Sequence, residues 1–426
     1  MRIKKTLQNI TENTYIFSVI AKIISIITGL IYSILFARYL GPELRGTASI
    51  ILNYSEIISL ILCLGIYQAY PYFRKEREES IYMEYINYVF GLFLIYLIMG
   101  ILLCLTGIFS INIVISIILA PVLMGIKQLN YVVLIENPKL RNTANIKLDL
   151  FDIIFLFLLL IFTKANYSLC ILFLIIKHLF FFVIAIANLK VNIFKIHPTL
   201  KGVIPYIKYG ITPMITVILM EINYKVDVIM LERFKIAAAD IGIYSLGVML
   251  AQKLWMIPDA LKDILLSNLA KGKNHKEVSK ITRISLAVTI CMVIGMSVLG
   301  KPLIFLMYGS EYEDAYLITL IIFVGVIGMV FYKMVYSYNV VNGHKTINLI
   351  FLAVTASLNI LINAVTIPYT GMFGAALASL ISCSICGLMF LLYFCKTTGT
   401  PIQEMMFLTR LDIQLMKSII KSGKNR

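Results

Sequence analysis

Nine charged residues lie inside long apolar runs, where they could bind an ion or an anionic group. Six are basic and three are acidic: Lys22, Lys127, Lys177, Lys225, Lys253 and Lys333 against Glu56, Glu221 and Asp227. A charge at mid-depth in a bilayer is costly and usually faces the interior of a helix bundle or a wet cavity. The excess of cations predicts a basic cavity that binds an anionic ligand.

The candidate ligand-binding cations are those whose position makes contact with water difficult. Lys127 and Lys333 are seven or eight residues from the end of a predicted span, about 12 Å at 1.5 Å per residue. They could equally extend to the headgroups. The anion site is therefore predicted from the remaining four lysines and a basic turn residue: Lys22, Lys177, Lys225, Lys253 and Arg38.

The three acidic residues are candidates for ion coupling. Glu221 and Lys225 are spaced i,i+4 and could simply neutralise each other. Alternatively, an anionic ligand takes Lys225 and leaves Glu221 or Asp227 to bind H⁺ or Na⁺. Glu56 is the other candidate, as a coupling site or as a partner for Lys22.

The composition specifies the elements that must position these charges. The 426 residues are 60% hydrophobic and 14% charged, with a mean hydropathy of +0.90, which is typical of a polytopic α-helical membrane protein. A span needs roughly 20 apolar residues. By that measure the chain has twelve, at about 14–36, 47–70, 83–106, 110–135, 148–163, 168–189, 207–231, 241–261, 284–307, 315–340, 347–367 and 372–395.

Several kinds of chemistry have no support in the sequence. The four histidines have no ligand-spaced companions, no HExxH or P-loop occurs, and the loops carry no inserted soluble domain. The seven cysteines lie in or at the end of apolar runs, so we expect free thiols. We therefore predict a protein that is not an enzyme and has neither a metal site nor a cofactor.

Basic residues fall mainly in alternate loops, which predicts cytoplasmic N- and C-termini in the inner cell membrane. A basic turn that ends on a glycine opens the second span at Arg38–Gly46 and the eighth at Arg233–Gly242. Six spans per half predict two lobes, 1–195 and 196–395, around a central cavity. Residues 396–426 form a cytoplasmic tail with the spacing of an amphipathic helix.

Four motifs stand in the order found in a known family of membrane proteins. They are 38–42 (RYLGP), Asp227 followed by 242–245 (GIYS), 308–312 (YGSEY), and the segment from Asn359 and Asn363 through Pro368 to Gly374. Together they resemble motifs of polysaccharide lipid flippases (Wzx-type), in the multidrug/oligosaccharidyl-lipid/polysaccharide exporter superfamily. The one departure noted is Ser379, where the family often has Thr.

The resemblance implies a transporter that moves an undecaprenyl-diphosphate-linked oligosaccharide from the cytoplasmic to the outer leaflet by alternating access. It would serve surface polysaccharide synthesis (O-antigen, capsule or exopolysaccharide), with the polymerase and chain-length proteins of the same pathway as candidate partners. A drug/cation antiporter would share the architecture, but a basic cavity disfavours cationic drugs. A membrane polysaccharide polymerase or glycosyl transferase would need a long outer loop with catalytic Arg or acidic residues, and the outer loops here are short.

Overall fold

The structure is a computed structural model that describes residues 14–77, 81–189, 191, 196–270, 275–412 and 414. Every long regular element in these ranges is an α-helix. The first six are α1 (Thr14–Leu62), α2 (Ile66–Glu76), α3 (Tyr82–Leu105), α4 (Ile111–Glu136), α5 (Pro138–Phe162) and α6 (Tyr167–Asn188). The others are α7 (Ile204–Arg233), α8 (Ala238–Leu254), α9 (Met256–Ala270), α10 (His275–Tyr308), α11 (Ala315–Val341), α12 (Lys345–Thr370), α13 (Met372–Thr398) and α14 (Ile402–Met406).

In the described part of the chain, eight helices are long and apolar enough to cross a membrane, or nine if the bent pair α8 and α9 is one span. The number becomes twelve when the first of these runs is divided at its break and α5 and α7 are added. The α1–α2 run Ile23–Glu76 has 54 residues, more than twice the length that a bilayer core requires. It is broken at Gly41, whose φ of 67° is in the left-handed region that glycine adopts without strain. Helices α8 and α9 bend by 42° at their junction. Two further helices, α5 and α7, have 25 and 30 residues and are long enough to span.

Contacts between residues divide the chain into two compact units. Unit 1 comprises Met1–Glu221 and Ala237–Gly242, and unit 2 comprises Ile222–Ile236 and Ile243–Arg426. Helix α7 therefore contributes residues to both units. The lobe boundary at 195/196 that the spans suggest stays a prediction. All seven cysteines are free, as predicted.

The two glycines of the sequence repeat lie against each other in unit 1. A Cβ added to Gly46 would come within 1.7 Å of the Ala238 carbonyl oxygen, and one added to Gly242 within 1.9 Å of the Pro42 oxygen. The contact is reciprocal, since each glycine meets the carbonyl four residues before the other. Only residues without a side chain allow the two backbones to approach so closely.

The first turns of the C-terminal tail are held against α10 in unit 2. Arg283 donates from Nε to Asp412 Oδ2 at 2.7 Å and from Nη1 to the Glu404 carbonyl at 2.6 Å. We call these three residues the tail latch. Helical residues here are Ile402–Met406 and a short turn near Asp412, while the rest of the predicted amphipathic tail lies outside the described residues.

The reciprocal glycine contact predicts a large effect of a single methyl group. We expect Gly46→Ala or Gly242→Ala to lower the free energy of unfolding by at least about 1–3 kcal/mol, because the methyl overlaps a backbone oxygen. Thermal unfolding in detergent measures this. Gly125→Ala is the matched control, since no atom lies within 4 Å of the Cβ it would add. Equal melting temperatures for all three variants would contradict the contact.

The tail latch predicts acid sensitivity. Burial acts to raise the pKa of Asp412, but hydrogen bonds from Arg283 and Thr409 outweigh it, so this pKa lies below its ordinary value. The latch thus stabilises the tail above the ordinary carboxyl pKa and stops doing so as the pH falls through the lowered one. We expect Asp412→Asn to release the tail at neutral pH, seen as faster proteolysis after residue 400. Unchanged cleavage would refute the latch.

Candidate cation site

Asp227 on α7 is a carboxylate buried among neutral groups of unit 2. Its side chain is 1% exposed. The Tyr244 hydroxyl donates to Oδ2 at 2.6 Å, the Asn363 amide donates to Oδ1 at 2.7 Å, and the Ser379 hydroxyl also donates to Oδ2. Within the described residues no basic side chain pairs with it. Burying an ionised carboxylate without a counter-charge costs free energy. This cost indicates that Asp227 has a functional rather than a purely structural role.

Four helices supply this environment. Asp227 is on α7, Tyr244 on α8, Asn363 on α12 and Ser379 on α13. Asn359 lies one turn before Asn363 on the same face of α12, as the i,i+4 spacing requires. Its side-chain oxygen accepts from the Asn363 amide at 3.0 Å.

The close packing of α12 on α13 brings the amides and hydroxyls together. A Cβ at Gly374 would come within 2.6 Å of the Thr366 carbonyl oxygen, so only glycine fits there. Asn359 also donates to the Ser382 hydroxyl at 3.2 Å. The two helices thus form one hydrogen-bonded wall beside Asp227.

One acceptor in the cluster has no donor. Asn363 Oδ1 is buried and makes no hydrogen bond with any described residue. An unpaired buried carbonyl oxygen beside a carboxylate costs about 1–3 kcal/mol. A hard cation such as Na⁺ would bind both Asn363 Oδ1 and the Asp227 carboxylate, because carboxylate, amide and hydroxyl oxygens are suitable ligands for it. A proton on Asp227 would neutralise the carboxylate but would leave Asn363 Oδ1 without a partner.

The sequence singled out Asp227 but gave its partners no role. Tyr244, Asn359, Asn363 and Ser379 appeared only as letters of the family-like motifs. The signal that could have found them is the pair of amides at i,i+4 in an otherwise apolar helix. Their convergence on Asp227 depends on tertiary contacts between residues 136 and 152 positions apart.

The hydrogen-bond partners of Asp227 among the described residues include none of the other predicted coupling or anion-binding residues. Glu221, Glu56 and the exposed Arg38 belong to unit 1, whereas Lys225 and Lys253 belong to unit 2. The side chain of Lys22 lies outside the described residues. The roles of all these residues stay predictions. No group of three or more His, Cys, Asp or Glu that could hold a metal ion occurs in the described ranges.

Two of the intramembrane lysines are paired with aspartates near the ends of the predicted spans. In unit 1 Lys177 Nζ donates to Asp152, and it lies 3.6 Å from Asp149. In unit 2 Lys333 pairs with Asp259. The carboxylates were overlooked because they stand near the ends of predicted spans. The excess of buried cations is therefore smaller than the sequence predicted.

Comparison with solved structures identifies the fold. The chain is similar to the lipid II flippase MurJ in an inward closed conformation, with a TM-score of 0.71 and 21% identity over 92% of this chain and 89% of that one. It is also similar to an inward-facing MATE family transporter of the MOP superfamily, with a TM-score of 0.63 and 12% identity over 88% of this chain and 96% of that one. A third similar structure is a mutant of the Vibrio cholerae MATE transporter VcmN, with a TM-score of 0.58 and 15% identity over 93% of this chain and 98% of that one. These likenesses confirm the predicted all-α, twelve-span membrane fold.

Comparison of sequences identifies the family. A search of curated protein sequences found no significant match. The family model described as "Polysaccharide biosynthesis protein" matches residues 35–317, more than half of the chain. This match agrees with the polysaccharide family indicated by the four motifs. The chain therefore belongs to the polysaccharide biosynthesis protein family.

Proposed function

We propose that the chain is a flippase that moves a polyprenyl-diphosphate-linked oligosaccharide across the inner membrane for surface polysaccharide synthesis, driven by H⁺ or Na⁺ at Asp227. The family match over residues 35–317 supports the pathway, and the fold is that of a lipid II flippase. The observation that carries the ion coupling is the buried Asp227 carboxylate, whose partners among the described residues are all neutral.

Ion binding at Asp227 would act as a switch between two arrangements of α7, α8, α12 and α13. With the carboxylate charged, its three hydrogen-bond donors hold the four helices together. A bound cation or proton neutralises the carboxylate, so its hydrogen bonds with those donors stabilise the arrangement less. Because the ion then has different affinities for the two arrangements, its gradient can drive alternating access.

The diphosphate contacts proposed from the sequence are Lys22, Lys177, Lys225, Lys253 and Arg38, with both termini cytoplasmic. Lys177 would bind the substrate only by exchanging partners, since Asp149 and Asp152 hold it now. Glu56 and Glu221 remain the alternative coupling sites. The glycan is an O-antigen, capsule or exopolysaccharide unit, and the polymerase and chain-length proteins of that pathway would be partners.

A drug/cation antiporter is the second candidate function. The likeness to MATE transporters favours it, as does the buried carboxylate of Asp227, which a cationic drug could neutralise. The neutral amides and hydroxyls around Asp227 leave room for an ion rather than for an organic cation, since four side chains already contact or adjoin the carboxylate.

Gradient dependence tests the coupling. Proteoliposomes with fluorescent lipid-linked oligosaccharide, assayed by chemical quenching of the label that reaches one leaflet, should lose directional transport when the responsible gradient is collapsed. Collapsing the H⁺ and Na⁺ gradients separately identifies the ion. Directional transport that continues unchanged with both gradients collapsed would exclude ion coupling.

Replacing the carboxylate tests Asp227 itself. We expect Asp227→Asn to lower the ion-driven rate at least about tenfold and to abolish its dependence on the ion, because the isosteric amide carries no charge. Asp314→Asn, at the exposed start of α11, is the matched control and should transport normally. Equal loss in both variants, or an unchanged ion dependence in Asp227→Asn, would remove Asp227 from the mechanism.

A further inference from the structure

The junction between α8 and α9 holds the single tryptophan of the chain. Trp255 is 6% exposed and lies where the two helices bend by 42°. Phe323 and Val326 of α11 pack against it, and Tyr224 contacts its ring edge-on at a centroid distance of 4.8 Å. The indole is thus fixed by packing within unit 2.

The indole N–H has no acceptor. Trp255 Nε1 is buried and makes no hydrogen bond with any residue that the structure describes. A buried tryptophan normally finds an acceptor, and leaving a buried donor unpaired costs about 1–3 kcal/mol. Because the indole is a donor only, any group that satisfies it must offer an acceptor, such as a phosphate oxygen.

A buried lysine lies over the same ring. Lys333 Nζ is 4.9 Å from the centroid of the Trp255 ring and donates to Asp259 Oδ1 at 2.7 Å. The two partners differ in exposure: the Lys333 side chain is 8% exposed and that of Asp259 is 37% exposed. The carboxylate is therefore the outer member of the pair and can turn to water, whereas the ammonium cannot.

A second cation stands beside the outer carboxylate. Lys262 Nζ is 3.7 Å from Asp259 and 3.7 Å from Asp263, whose side chain is 62% exposed. Rotation of Asp259 toward water would leave Lys333 without its carboxylate partner and Lys262 with Asp263 alone, beside an indole N–H that already has no acceptor. Lys333 is eight residues from the end of α11, about 12 Å along the axis.

We propose that Lys333, Lys262 and Trp255 Nε1 form a diphosphate-binding subsite in which Asp259 is a displaceable counter-ion. The subsite rests on the proposed function and assigns residues to the headgroup of the lipid-linked substrate. The incoming diphosphate replaces Asp259 on Lys333, accepts from the indole N–H, and gains Lys262. Lysine suits this exchange because its ammonium is a point charge without a fixed acceptor geometry. In the absence of substrate, Asp259 prevents an unpaired buried cation.

The single tryptophan makes the subsite directly observable. Purified protein in vesicles of neutral lipid, which add no other tryptophan, is titrated with inorganic pyrophosphate, with undecaprenyl diphosphate in the bilayer, or with phosphatidylglycerol in the bilayer. We expect a saturable change in Trp255 fluorescence with both diphosphates and none with the phosphodiester lipid. An equal response to phosphatidylglycerol would make the cluster a site for structural lipid and overturn the proposal.

Variants separate ligand binding from a structural ion pair. Asp259→Asn should bind pyrophosphate about tenfold more tightly, because the competing carboxylate is gone, and Lys333→Gln should bind at least about tenfold more weakly. An ion pair that serves only stability predicts no gain in Asp259→Asn. Lys301→Gln is the matched control, since Lys301 also pairs with a carboxylate, Glu313, at 2.7 Å.

Trp255→Phe, followed with radiolabelled pyrophosphate, keeps the proposal testable if Lys333→Gln fails to fold, and should bind about fivefold more weakly for want of one donor. Unchanged affinity in both Asp259→Asn and Trp255→Phe would overturn the subsite. Flipping of lipid-linked oligosaccharide with no Trp255 response would refute the subsite alone. A Lys333-dependent pyrophosphate response without flipping would refute the proposed function alone.

Discussion

The buried carboxylate of Asp227 imposes the strictest requirement on unit 2. An ionised group 1% exposed must be surrounded by donors, and these donors come from three other helices. The positions of α8, α12 and α13 relative to α7 are therefore tied to the charge state of one side chain. Packing of apolar surface alone would allow these helices to slide, because dispersion contacts are not directional.

The other buried charges are handled differently. Lys177 and Lys333 each have a carboxylate partner from another helix, and in the second pair the carboxylate is the more exposed member. Such a pair is neutral at rest, yet its outer member can exchange with an external anion. Asp227 has no counter-charge among the described residues and can exchange only with a cation or a proton. Unit 2 thus contains a buried acidic group, Asp227, that can bind a cation, and a buried basic group, Lys333, that can bind an anion.

Much of the fold could be predicted because span length and hydropathy are local properties. The twelve spans and the break near Gly41 followed from the residue pattern, and the same pattern made Asp227 a candidate, which stays a prediction. The partners of Asp227 could not be predicted, since Asn363 and Ser379 reach it only when distant helices pack. The pairing of Lys177 with Asp152 could not be predicted either. The position of a residue along a span does not show which face of the helix packs against its neighbours.

The reciprocal contact of Gly46 and Gly242 has a genetic consequence. When a large residue replaces a small one in most helix crossings, a second substitution to a smaller residue opposite can restore the fit. Here both positions are already glycine, and each would-be Cβ meets a carbonyl oxygen of the opposite backbone. Suppressors of a Gly46 substitution should therefore never map to position 242, and must instead fall at sites that move a whole helix.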